Sequence, residues 1–306
     1  MLDLSNTTSF SSHRHGWSFV MSSIKDFHSK SGIYICDFIE KDFSWSKNTG
    51  FEIGRKWIGF IHNPPNMPPW FDFHNSPQCI LKREKFLDYS KNCICLFVLS
   101  EYLKKYIQNL TNIPVFNFYH PTELDIPKWN PELFLKSKNI VQVGYWLRKM
   151  HSITTVTKNY NLEWLPSDYN YAMTKKVLES QSLGYCEYEM HKIWSKVKVY
   201  NHISNEDYDK KLCSSVALCD MYDSSANNAI IECIARHTPI ITPKLPAVIE
   251  YLGEDYPLYI NGLIDDLLCE DKIIAAHEYL KKKDKEFLSK QFFRNEIKKC
   301  ILKLEY

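Results

Sequence analysis

The chain has 306 residues, enough for about two domains at the usual ~150 residues each. Its 44% hydrophobic and 24% charged residues supply material for packed cores and exclude a disordered or fibrous chain. With 38 basic against 36 acidic residues the formal net charge is only +2, which argues against a nucleic-acid partner.

From Met1 to Trp17 the chain is polar and rich in Ser, Thr and His, without the apolar core of a secretory leader. A helix is expected over Trp17–His28, a strand over Ile33–Phe38 and another over Trp57–Ile61, the strands being β-branched or aromatic runs. The loop that follows, His62 to Asp72, carries Pro64, Pro65, Pro68 and Pro69, which stiffen it. Next come a helix over Ile80–Tyr89, a strand over Ile94–Leu99, Ser100 as a cap, a helix over Glu101–Gln108 and a strand over Val115–Phe118. Pro121, Pro127 and Pro131 then punctuate a stretch poor in β-branched residues, which reads as a linker.

The alternation restarts after the linker. Strands are expected at Ile140–Val143, Lys198–Asn201, Val216–Cys219 and Ile240–Thr242, and helices at Met173–Ser180, Asn205–Cys213, Asn227–Arg236 and Ala247–Leu252. Beyond Asp271 the chain is Lys-rich and helical. Strands alternating with helices predict parallel α/β sheets in two domains, residues 1–127 and 128–306. Cys36, Cys95, Cys219 and Cys233 sit in apolar runs, where a free thiol behaves as a small hydrophobe. Cys93-x-Cys95 lacks the second pair of a zinc site. No run approaches the ~20 apolar residues of a membrane span. The expectation is a cytoplasmic protein in a reducing compartment, with the sequons at Asn6 and Asn109 unused.

Two segments carry chemistry. In Asp220-Met-Tyr-Asp-Ser-Ser-Ala-Asn-Asn-Ala-Ile-Ile-Glu232 a strand ends, small polar residues turn the chain, and a helix opens near Asn227. Ser224 or Ser225 is placed to cap that helix, leaving first-turn N–H groups, with Asn227 and Asn228 beside them, to meet an anion. Glu232 falls on a polar stripe one to two turns in, where a carboxylate can accept a sugar diol; an ordinary capped helix with a solvated Glu has the same spacing. In Val143-Gly144-Tyr-Trp-Leu-Arg148-Lys149 a strand runs through Gly into a loop with two adjacent cations, suited to a diphosphate and equally to a solvated basic turn.

Over Arg148-Lys149 and from Tyr222 to Gly253 the chain resembles the C-terminal donor domain of GT-B glycosyltransferases, in particular over Asn227-Asn228-Ala-Ile-Ile-Glu232 and over Pro239-Ile-Ile-Thr and Leu245-Pro-Ala-Val-Ile-Glu-Tyr-Leu-Gly253. The resemblance implies two Rossmann-like domains facing across a cleft, the last helix packing back on the first domain, and transfer of a sugar from a nucleotide-diphosphate sugar to a hydroxyl of a glycan or glycoconjugate. Many such enzymes hold donor sugar and ribose with paired glutamates. Glu232 matches the second position, whereas Ser224 stands at the first, with Asp223 a stand-in. Arg148, Lys149, Ser224, Ser225, Asn227, Asn228 and Glu232 are thus the expected donor-binding residues.

The first domain is then the acceptor side. Its loops offer Asp72 or His15 as general base and His62 and Trp70 as acceptor contacts, although each also reads as a hydrogen-bonded loop residue. Walker A, Gly-x-Gly-x-x-Gly, His-Glu-x-x-His and Gly-x-Ser-x-Gly motifs are absent, and so is the Asp-x-Asp of metal-dependent transferases. The expectation is a metal-independent hexosyl- or pentosyltransferase with no cofactor beyond its nucleotide-sugar co-substrate. The alternatives are an inactive nucleotide-sugar or glycan-binding protein and a sugar-nucleotide epimerase, both of the same fold.

Overall fold

A computed structural model describes residues 1–8, 16–166, 172–182, 184 and 186–304. The chain divides into two compact units. Unit 1 holds Met1–Glu123, Asp223–Asn228 and Lys285–Tyr306, and unit 2 holds Leu124–Tyr222 and Ala229–Asp284. The expected division was at residue 127; the first break between the units follows Glu123, and two later segments also belong to unit 1.

Among the described residues, the sheet of unit 1 has five parallel strands in sequence order: Leu2–Asp3 (β1), Ile33–Cys36 (β2), Trp57–Ile61 (β3), Cys93–Val98 (β4) and Val115–Asn117 (β5). Parallel strands covered on both faces read as unbroken apolar runs, and β3 is buried along its whole length. Alternation sends Ile58 and Phe60 to one face and Trp57 and Ile61 to the other. The first face is covered by Trp17, Val20 and Met21 of α1 (Trp17–Ser22) and by the C-terminal helix Lys290–Leu304. That helix buries Phe293, Ile297, Cys300 and Ile301, a single stripe at helical spacing. The second face is closed by residues of α2 (Pro77–Ile80), α3 (Glu84–Ser90) and α4 (Glu101–Gln108). Gly59 permits that closure, because a Cβ there would stand 2.5 Å from Ile39 Cδ1 and 2.6 Å from Trp57 Cζ3.

In unit 2 the described strands are Asn139–Val143 (β6), Asn161–Leu165 (β7), Val197–Val199 (β8), Ser215–Leu218 (β9), Ile240–Pro243 (β10) and Tyr259–Ile260 (β11). They form a parallel sheet in the order β11-β10-β9-β6-β7-β8. Read outward from β6, this is the 3-2-1-4-5-6 order of the doubly wound fold. The helices are Pro131–Ser137 (α5), Ala172–Gln181 (α6), Glu187–Trp194 (α7), Asn205–Ser214 (α8), Asn228–Arg236 (α9), Pro246–Leu252 (α10) and Glu270–Lys282 (α11). Among the described residues no helix is long and apolar enough to cross a membrane.

Several elements depart from the sequence reading. The N-terminus is not simply a polar tail: Leu2 is fully buried in the core and β1 pairs with β2, a strand too short to show a period. The helix expected over Trp17–His28 breaks into α1 and a 3₁₀ turn at Lys25–Phe27. That over Ile80–Tyr89 is two helices, α2 and α3. Part of the expected linker is α5, where Asn130 accepts the N–H groups of Glu132 and Leu133 and Pro131 occupies the first turn, so the proline starts a helix instead of ending one. β7, β11 and α7 were not foreseen; Glu163 interrupts the apolar run of β7, and its carboxylate is met inside the unit by Lys211 at 2.5 Å.

Candidate functional site

The strand order of unit 2 reverses between β6 and β9, the kind of point at which open α/β sheets take ligands; the two loops leaving these strands are tied by an antiparallel bridge between Arg148 and Met221. β6 is followed by Gly144 at φ 78°, a left-handed conformation that glycine adopts without strain, and by Leu147 at φ 54°. Arg148 is buried and folds back on its own loop. Its Nε donates to Val143 O at 3.1 Å and its Nη1 to Trp146 O at 3.0 Å. Lys149 is anchored by its N–H to Asp220 O at 2.9 Å, while its half-exposed ammonium lies 3.1 Å from Asp220 Oδ1. Ser152 Oγ donates to the other Asp220 oxygen at 2.7 Å. Of the two adjacent cations, one therefore shapes the loop and the other reaches solvent.

The turn after Tyr222 belongs to unit 1. Ser224 and Ser225 are buried, and Ser225 Oγ lies 3.3 Å from Ser100 Oγ. Because α9 begins at Asn228, the cap position falls on Asn227 and not on Ser224 or Ser225 as expected. Asn227 and Asn228 are half-buried at the helix start. Asp223 is buried and its carboxylate is engaged: Asn66 N–H donates at 2.8 Å, Tyr102 Oη at 3.0 Å and Ser224 N–H at 2.8 Å. Burial raises its pKa, and these donors offset part of the rise.

Glu232 is not on a solvated stripe. α9 is buried from Ala229 to Arg236, and Glu232 Oε2 lies 4.0 Å from Arg236 Nη1. The phenol of Tyr208 also bonds it, and burial followed by the Glu232 charge pushes that phenol well up. Arg236 is fully buried, with Nη2 2.5 Å from Asp209 Oδ1. The polar residues Glu232 and Arg236, which gave α9 its amphipathic look, answer one another inside unit 2.

At the carboxyl edge of the unit 1 sheet, His62 stacks on Phe38 (centroids 3.7 Å apart, planes at 4°) and meets Trp17 edge-on at 4.4 Å. Burial pushes its imidazole down to about 3, so the neutral ring donates through Nε2 to Asp37 O at 2.8 Å. Such a ring is no proton acceptor near neutral pH. Asp37 Oδ2 receives Trp17 Nε1–H at 3.1 Å. Glu40, fully buried, accepts the N–H groups of His62 and Asn63 at 2.8 Å each, and burial pushes it up to about 7. The sequence reading passed over Asp37 and Glu40; their signal is acidic residues directly after a strand, at the end where α/β sheets bind ligands. Asp72 sits in the left-handed region at φ 52°, with Oδ1 3.3 Å from His74 Nε2. Trp70 is 45% exposed beside Phe71, its ring edge-on at 5.7 Å. His15 lies outside the described residues. Among those residues no group of three or more His, Cys, Asp and Glu is arranged to hold a metal ion.

Neither a protein-family model nor a curated protein sequence matches the chain. Solved structures do. Sucrose-phosphate synthase from Thermosynechococcus elongatus superposes with a TM-score of 0.62 at 12% identity, over 94% of this chain and 77% of that one. HepE of Anabaena in complex with UDP-glucose gives 0.61 at 10% identity, over 81% and 72%. TarM of S. aureus in complex with UDP gives 0.59 at 16% identity, over 94% and 57%. Two parallel sheets flanked by helices, together with these likenesses, establish that the chain has the GT-B glycosyltransferase fold.

Proposed function

We propose that the chain transfers a sugar, a hexose or a pentose, from a nucleotide-diphosphate sugar to a hydroxyl of a glycan or glycoconjugate. The observation that carries this reading is the reversal of strand order between β6 and β9, with Gly144, Lys149 and Asp220 at its carboxyl edge. An open α/β sheet takes its ligand at such a point. The UDP-glucose in HepE supports a nucleotide sugar as the ligand class.

In this reading the acceptor oxygen bonds to the anomeric carbon as the bond from that carbon to the diphosphate breaks, and a nucleoside diphosphate leaves. Lys149 exchanges Asp220 for the diphosphate and, with Arg148, offsets the charge developing there. N–H groups around Ser224, Ser225, Asn227 and Asn228 add the positive end of the helix dipole, so the charge is met without a metal. Glu232, held by Arg236 and Tyr208, accepts the ribose hydroxyls. On the acceptor side Trp70 offers a flat face for a sugar ring, and Asp72 takes the acceptor proton. His15 is the alternative base, while His62 braces the loop from beneath. The engaged carboxylate of Asp223, with Ser224 where the resemblance has a glutamate, favours a second reading: a protein that binds nucleotide sugar without turnover.

The test is calorimetric titration with UDP and with uridine, alongside an assay for nucleoside diphosphate release from a panel of nucleotide sugars. Replacing Arg148 and Lys149 with Met is expected to weaken UDP at least about tenfold, ~1.4 kcal/mol, while sparing uridine. Equal loss for both ligands removes the pair from the phosphate site. Binding without release from any nucleotide sugar selects the second reading.

A further inference from the structure

Three segments far apart in sequence meet at one carboxylate in unit 1: the proline-stiffened loop through Asn66, the start of α4 through Tyr102, and the turn Asp223–Asn228. Asp223 Oδ2 receives both Asn66 N–H and Tyr102 Oη, and Oδ1 receives the N–H of Ser224. Asn66 Nδ2 donates in turn to Tyr102 Oη at 2.7 Å, which closes a ring of hydrogen bonds. Ser225 Oγ against Ser100 Oγ, the cap of α4, adds a second tie between the same two segments.

The chemistry of this knot is that of a fastener. A carboxylate accepting three hydrogen bonds has little capacity left for a sugar hydroxyl, whereas its hold on the protein is strong, since hydrogen bonds to a charged group are stronger than those between neutral groups. All its donors are backbone amides or a tyrosine on the first turn of a helix, so neither side yields easily. Pro64 and Pro65 before Asn66, and Pro68 and Pro69 after it, make the loop equally stiff.

We propose that Asp223 is a positioning residue: it locks the turn Asp223–Asn228 to the loop His62–Asp72, so that the two move as one body. Resting on the proposed function, this means that the turn facing the donor diphosphate is set by the loop carrying Trp70 and Asp72, and that occupancy of either favours the other.

The experiment uses the whole chain with Asp223→Asn, Tyr102→Phe and the double substitution. Hydrogen exchange of the amides of Ser224–Asn228 and of Asn66–Asp72 is read first and needs no ligand. Both segments are expected to exchange at least about tenfold faster in Asp223→Asn, and several-fold faster in Tyr102→Phe, which removes one hydroxyl and leaves the core intact. The double variant should be no worse than Asp223→Asn, since both remove members of one network. Calorimetry with UDP and uridine follows. Asp223→Asn should weaken UDP about tenfold and uridine less than twofold, a split that general destabilisation does not produce. Faster exchange in the turn alone, or equal loss of UDP and uridine, overturns the proposal. If the unaltered chain binds no UDP while the two segments still loosen together, the donor reading fails and the mechanical lock stands.

Discussion

At the carboxyl edge of unit 1, Asp37, Glu40 and Asp42 are buried beside peptide N–H groups, an indole and the Cys36 thiol, which lies 3.2 Å from Asp42. In unit 2 the buried carboxylates Asp209, Asp220 and Glu163 each meet a cation, Arg236 at 2.5 Å, Lys149 at 3.1 Å and Lys211 at 2.5 Å. The consequence differs. Desolvation raises the pKa of all three unit 1 carboxyls, only partly offset by hydrogen bonds and by Lys41 near the two aspartates. The unit 1 edge is therefore responsive to protons, while the unit 2 carboxylates are each held by a charge pair. The topology explains part of the contrast. The order of unit 2 reverses between β6 and β9, the kind of point where open α/β sheets take ligands, whereas the unit 1 sheet runs in sequence order and must build its edge from loops.

The sharpest way to break this comparison is at Arg236. Arg236→Ala leaves Asp209 and Glu232 buried without their cation and is expected to cost about 3–5 kcal/mol in urea unfolding. Arg236→Met combined with Asp209→Leu removes that charge pair together and should recover only part of the loss, because Glu232 stays buried without its cation. A cost below ~1 kcal/mol for Arg236→Ala would mean that water, and not the guanidinium, satisfies these carboxylates.

A smaller effect is expected at Glu40. Its folded pKa of about 7 stands above the 4.5 ordinary for a glutamate, so the native state takes up the proton first. The stability from this group is fully present below ~4.5 and is lost as pH rises through ~7. His62 acts in the opposite sense: with its folded pKa about 3 against the 6.5 ordinary for a histidine, its contribution is present above 6.5 and lost as pH falls towards 3. The two partly cancel in the unaltered chain, so the difference between Glu40→Gln and the parent isolates Glu40. Glu40→Gln is expected to gain about 2–4 kcal/mol relative to the parent between pH 4.5 and 8. A difference independent of pH would show that Glu40 is not desolvated as its burial implies.

How far the sequence was legible follows from what each signal reports. Apolar runs with local caps were read well: β3 spans Trp57–Ile61 and α4 spans Glu101–Gln108 as expected, and Ser100 accepts Leu103 N–H. The loop Gly144–Lys149 was found because glycine and two cations follow a strand end. Periodicity, however, describes the faces of one element and is silent on what covers them. Glu232 looked solvent-facing because its answering groups, Arg236, Tyr208 and Asp209, are divided between two helices. Asp223 looked available for a sugar because its donors lie 157 and 121 residues away. Strand order, from which the ligand edge of unit 2 follows, leaves no local mark at all.

The C-terminal helix has a consequence for the order in which the protein is made. Unit 2 has all its residues once Asp284 has left the ribosome, yet the unit 1 sheet, synthesised first, still lacks Phe293, Ile297, Cys300 and Ile301 from one face. That face waits through the synthesis of most of the chain, with Ile58, Phe60 and Phe97 short of their cover. Exposed apolar surface of this kind is what chaperones bind and what aggregates at high expression. A chain truncated and released after residue 284 should therefore present a protease-resistant unit 2 beside a cleavable unit 1; resistance in both would mean that the helix arrives on a face already closed.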